Sequence, residues 1–229
     1  MLERIFLLCC LFPFVSPYPI GSDVQPLAGI FAFLVIFKKI FEERKIEKSN
    51  LILLILPVTF LAYNSPFSDN FDAEVDVGKF LSLVFGSAIF VAFYYSKDKL
   101  DAKLFSSVIY IYFIFIILLL LFTSPMIEIQ NLLVRNTNVE EFSYRGVPTL
   151  STEPGLFGGL LVFFLLVLDY LYESGKIFRT NRLILLSLII FMIFITKSGT
   201  GYLYFMLYFF FKFSLNNKIA WYNKISIAV

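Results

Sequence analysis

The side chains able to do chemistry crowd into one short stretch, YRGVPTLSTEPGLFGG, at positions 144–159. Arg145 offers a planar guanidinium, suited to bidentate contact with phosphate or carboxylate. Glu153 offers a carboxylate, able to take a proton or to complement the positive end of a helix. Ser151 or Thr152 can cap a helix beginning here, and Pro154 is tolerated in its first turn. Capping alone accounts for Ser151, Thr152, Glu153 and Pro154. The glycines ask for more. Gly155 and Gly159 form a G-x-x-x-G pair with Gly158 beside it, a bare surface that another backbone, a sugar or a lipid headgroup can approach closely.

A second polar island, TKSGTG at 196–201, interrupts an otherwise apolar stretch. Two complete membrane crossings need about 40 residues, and 183–213 falls short of that. Either this turn sits recessed below the outer surface, or flanking residues 180–182 lengthen the hairpin from the other side. In the recessed case Lys197 with the Ser198 and Gly199 amides forms an anion nest, while Gly199 and Gly201, like Pro154, Gly155, Gly158 and Gly159, are structural residues of a helix mouth. Arg135 is a third candidate, although Glu140 and Glu141 are ready partners for it in the same loop.

What is missing narrows the chemistry further. The chain has 229 residues and no histidine, which removes imidazole bases, histidine-ligated zinc and Ser-His-Asp catalysis. Its two cysteines, Cys9 and Cys10, are adjacent, poorly placed for a disulfide and without metal-ligand spacing. No metal is expected. The acidic loop around Asp69, Asp72, Glu74 and Asp76 lacks the glycine and terminal glutamate of a calcium loop and reads as solvated. No basic stripe interleaved with aromatics points to nucleic acid.

The elements that must position these residues are membrane helices. Hydrophobic residues make up 59% of the chain, with 30 Phe and 13 Tyr, against about 45–50% for a soluble domain. Apolar runs can be drawn at 5–15, 26–41, 51–63, 80–95, 104–122, 155–172, 183–196 and 202–213. A full crossing takes about 20 residues, so 80–95, 104–122 and 155–172 are the comfortable ones. With the N-terminus in the cytoplasm and eight crossings, only Lys79, Arg135, Arg145 and Lys197 of the 19 lysines and arginines fall outside. That bias favours this orientation. The expectation is an all-α polytopic bundle, one membrane domain over 1–229 with about eight transmembrane helices and both termini cytoplasmic. The segment 123–154 forms its long outer loop, within which IEIQNLLV makes a short helix. The N-terminal run is read as a retained first span, since it lacks a clean cleavage site.

At these residues the chain resembles a known family. RGVPTLSTEPGLFGG, followed by ITKSGTGYL, is similar to the arginine–glycine, Glu-Pro and Ser-Gly/Thr-Gly signatures of bacterial O-antigen and exopolysaccharide repeat-unit polymerases, a group related to the O-antigen ligases. The likeness covers about residues 145–203; elsewhere it extends only to hydropathy and span order. It implies a multi-pass enzyme of the cytoplasmic (inner) membrane acting on polyprenyl-pyrophosphate-linked oligosaccharide at the outer face. Membrane lipid and other polysaccharide-assembly membrane proteins are the further partners it implies, with no metal and no organic cofactor. Carried over, Arg145 contacts the pyrophosphate, Glu153 assists the acceptor or holds the loop, and Lys197 with Ser198 lines the same pocket. The family has about ten to twelve spans and a second outer loop, whereas this chain ends at WYNKISIAV where a ninth span would begin, as an N-terminal fragment would. Three alternatives stay open: a ligase-type transferase, a flippase or transporter for lipid-linked sugar, and a non-catalytic truncated membrane subunit. Asp169, the deepest acid of a long apolar run, reads as a side chain snorkelling to the inner surface.

Overall fold

The structure, a computed structural model, describes residues 1–15, 27–63, 73–134, 146–147, 149–151 and 153–214, with side chains 60–63, 73–76 and 78–79 outside the description. Nine α-helices and one 3-10 turn form among the described residues, with no strand. They divide into two compact units, 1–16 with 20–101 and 17–19 with 102–229.

The first unit holds α1 (Leu2–Leu11), α2 (Leu27–Glu43), α3 (Lys48–Tyr63), α4 (Ala73–Ser96) and the 3-10 turn Lys97–Lys99. Small residues let α2 and α4 approach. Ala28 and Ala32 are buried on α2, and a methyl group at Gly29 would meet the Phe85 ring at 2.1 Å. Helix α1 packs on the same pair through Phe6, Leu7 and Leu11. Its Glu3 pairs with Lys38 of α2. By contrast α3 exposes Leu51, Ile52, Leu53, Ile55, Leu56 and Val58, which is untenable in water and natural in lipid.

The second unit holds α5 (Ala102–Leu121), α6 (Thr123–Leu133), α7 (Pro154–Glu173), α8 (Arg179–Thr196) and α9 (Gly199–Ser214). Helix α7 is its spine, packed on both α8 and α9. Phe157, Leu161, Phe164, Leu168 and Leu171 recur on it at spacings of three and four and are buried, as a helix facing protein requires. Tyr112 of α5 stacks on Phe157 at 5.5 Å, and Phe105 meets Phe164 edge-on at 5.8 Å, each worth about 0.5–1.5 kcal/mol beyond area burial. Helix α7 ends in a Schellman turn: Gly175, at φ +70°, lets its own amide reach the Tyr172 carbonyl and that of Lys176 reach Leu171.

Four helices, Phe80–Lys99, Ala102–Leu121, Pro154–Glu173 and Arg179–Thr196, are long and apolar enough to cross a membrane. The other expected spans form helices of 10, 17, 16 and 16 residues. The short helix expected within 123–154 forms: α6 occupies the first third of that segment and starts ahead of IEIQNLLV. The hairpin also draws length from its far end: α8 starts at Arg179, and the turn between α8 and α9 shrinks to Lys197 and Ser198. Residues 179–182 thus lengthen the hairpin, as one of the two alternatives expects.

Candidate functional site

The turn Lys197–Ser198 joins α8 to α9, and α9 runs alongside α7 in the same direction. Gly155 meets the Ser198 and Thr200 side chains, Gly158 meets the Gly201 backbone, and farther along Asp169 meets Tyr208 and Lys212. Both helices therefore begin at one end of the unit, which collects two positive dipole ends and two sets of first-turn N–H groups that have no partner within their own helix. The tight contact is Gly158–Gly201: a methyl group at Gly158 would lie 2.6 Å from the Gly201 Cα. At Gly155 and Gly159 the nearest atoms would be 3.6 and 3.5 Å away, an ordinary distance. The G-x-x-x-G pair expected to admit a neighbour is thus only the flank of the approach, and the glycine between them makes it. Gly199 has open space around it.

A third segment comes to the same end. Gly146 sits at φ +90°, and a methyl group there would fall 2.0 Å from the Thr196 carbonyl oxygen. No residue but glycine fits this position, for both reasons. The Arg-Gly motif is in this way tied to the Thr-Lys-Ser-Gly turn through the glycine that follows Arg145. Arg145 and Arg135 themselves lie outside the described residues, as do Glu140, Glu141 and Thr152.

The turn is built from its own polar atoms. The Thr196 hydroxyl donates to the Ile193 carbonyl at 2.7 Å and faces the Ser198 amide at 3.4 Å. Buried Ser198 accepts the Gly201 amide at 3.1 Å, the bond of an N-cap residue. With the Ser198 amide directed at Thr196, the expected anion nest loses one of its two N–H groups. Lys197 adopts the left-handed conformation, at φ +48° and ψ +23°, with its side chain exposed. Ser198 therefore holds the turn while Lys197 presents a charge.

At the start of α7 the N-cap is Glu153 rather than Ser151. Its side chain makes no capping bond and is exposed, with Pro154 next in the first turn. Buried Ser151 donates instead to the Glu153 carbonyl at 2.6 Å, which also receives the Phe157 amide. The carboxylate is left available at a positive helix end, beside a turn carrying an ammonium group. Such a corner can hold an anion and take up a proton. Among the described residues no three Cys, Asp or Glu side chains gather as metal ligands.

Two further features had little signal in the sequence. Asp169, toward the end of the unit opposite the mouth, accepts from Arg182 at 2.9 Å and from Tyr208 and Lys212, joining α7, α8 and α9. Beside it an open groove of about 480 Å³ is walled by Val162, Leu166, Leu207 and Phe211. The second is Gln130 of α6, completely buried, whose amide nitrogen donates to the Thr149 carbonyl. Thr149 is also buried and sits at φ +54°, a strained conformation for a β-branched residue that costs of order 1–3 kcal/mol. Scans of the chain against protein-family models, curated proteins and solved structures return no match in any of the three.

Proposed function

We propose that this chain is a membrane glycosyltransferase that polymerises polyprenyl-pyrophosphate-linked oligosaccharide repeat units at the outer face of the cytoplasmic membrane. The observation that carries the reading is the meeting of α7 and α9, glycine against glycine, with both N-termini at one end and Lys197 between them. A pyrophosphate is the ligand such an end favours. The Gly146 contact with Thr196 supports the same reading, because together with the Gly155 contact with Ser198 it gathers residues of the three motifs of the family resemblance at one corner.

In this proposal all eight apolar runs cross the membrane, the shorter helices by tilting or by local thinning of the bilayer, and both termini lie inside. The opposite end of the second unit agrees with an inner surface. Lys176 lies over Tyr170, Arg182 over Tyr172 and Lys212 over Tyr208, at 5.5, 4.2 and 5.2 Å from the ring centres. Tyrosines and cations concentrate where helices leave the hydrocarbon, with the cations favouring the cytoplasmic side.

The chemistry follows from charge. The bond from the anomeric carbon of the growing glycan to the pyrophosphate oxygen breaks, and a bond from that carbon to an acceptor hydroxyl oxygen forms. Negative charge grows on the departing pyrophosphate, so Arg145, Lys197 and the helix ends stabilise the transition state more than the ground state. Glu153 takes the hydroxyl proton. Complementation of a polymerase-deficient host tests the reading, with polysaccharide ladder length scored on a gel. The parent restores the ladder, and well-expressed Arg145→Ala and Glu153→Ala forms do not. One-step attachment of finished glycan to a different acceptor would make the protein a ligase, and no ladder from a well-expressed parent would sink the proposal.

A further inference from the structure

We propose that Gln130 is the positioning residue of this site: its carboxamide, reaching from α6, pins the Thr149 backbone and so sets Glu153 at the start of α7. The inference rests on the reading above only for what Glu153 does there; the pin itself is a statement about geometry. Gln130 shares a buried helix face with Met126, four residues before, and buried Val134 follows four residues later. An apolar side chain would suit that face. The carboxamide instead keeps one oxygen buried without a hydrogen-bond partner, and the Thr149 hydroxyl is buried in the same condition. Groups left this way oppose folding, so the one bond they leave in place, from the Gln130 nitrogen to the Thr149 carbonyl, is the gain this arrangement secures.

Thr149 needs that hold. A β-branched residue at φ +54° has no local preference for its conformation. From Thr149 the order propagates along the chain: Leu150 and Ser151 are buried, the Ser151 hydroxyl donates to the Glu153 carbonyl, and that carbonyl opens the α7 hydrogen-bond ladder through Phe157. One amide on α6 thus reaches the candidate carboxylate through a short, continuous series of fixed groups.

Thiol labelling of the purified full chain tests this without any glycan, so its outcome is separate from that of the polymerase reading. In a Cys9→Ser, Cys10→Ser background, single thiols are placed at Leu150 or, as a control on α8, at Leu185; both positions are buried. Gln130→Met keeps the volume and removes the amide. It should speed maleimide labelling at 150 by about tenfold relative to 185, equivalent to about 1.4 kcal/mol of lost hold. Gln130→Glu adds a readout that general loosening would not move. Its carboxylate cannot donate to the Thr149 carbonyl but its protonated carboxyl can, so the 150-to-185 ratio should fall back toward the parent value as pH is lowered. Equal acceleration at both thiols, no acceleration at 150, or a pH-independent ratio in Gln130→Glu would each overturn the assignment. Should Gln130→Met fail to fold, Gln130→Glu at low pH still decides.

Discussion

Replacing Gly158 by alanine puts one methyl group into the backbone contact between α7 and α9. Its carbon would lie 2.6 Å from the Gly201 Cα, against about 3.5–4.0 Å for an unstrained carbon contact, so α7 and α9 must part by about 1 Å. A gap of that size forfeits a quarter to a half of each contact along the seam, and overpacking of this kind costs about 1–3 kcal/mol. Alanine returns up to about 1 kcal/mol through its better helix propensity. Gly155→Ala receives the same return without the clash, since its methyl meets Ser198 at 3.6 Å. The two variants should therefore differ by about 1–3 kcal/mol, several degrees in melting temperature for a chain of this size. Thermal melts in detergent, followed by size-exclusion recovery, read this directly. Gly201→Ala should fall between them, its methyl lying 3.1 Å from Gly158. A Gly158→Ala protein that melts at or above Gly155→Ala would refute the crossing.

Three other outcomes follow from the same geometry. Lys197→Gly relieves a left-handed conformation worth about 1–2 kcal/mol and should raise the melting temperature while abolishing the polysaccharide ladder, a split that a structural lysine would not give. Asp169→Asn leaves Arg182 and Lys212 without their common carboxylate; melting should drop by an amount between the roughly 1 kcal/mol of an exposed pair and the 3–5 kcal/mol of a buried one, and a double-mutant cycle with Arg182→Met should recover part of it. Gly146→Ala combines a positive φ with a methyl 2.0 Å from a carbonyl oxygen, so it should be the most destabilising single alanine at the mouth, read as the lowest melting temperature of the series.

Helices and the longest spans were legible because lipid leaves a one-dimensional record. Runs at 104–122 and 155–172 need no tertiary partner to be recognised, and both lie almost wholly within helices long enough to cross a membrane. The mouth was legible by type but not by contact. Gly155, Gly158 and Gly159 all announce close approach, yet which of them faces a backbone depends on the rotation of α9, which spacing alone does not carry; Gly158 is the one. The hairpin's length stayed open between two alternatives for a similar reason: charged residues 179 and 182 end an apolar run but do not end a helix, so α8 is longer than its hydrophobic core. The partners of Asp169 were not legible, because its three donors come from positions 182, 208 and 212, brought in by packing. Gln130 was hidden inside a segment read for its helix alone. Its importance appears only when Thr149, 19 positions later, is seen bent into a conformation it does not favour.

The most direct test of the central claim is reconstitution of the purified chain in proteoliposomes with polyprenyl-pyrophosphate-linked oligosaccharide, following product length and released carrier together. Glycans longer than one repeat, with one polyprenyl pyrophosphate freed for each bond formed and both signals lost in Arg145→Ala, are the predicted result. A folded, monodisperse protein that frees no pyrophosphate, or that only carries the intact lipid-linked sugar between leaflets, would contradict it.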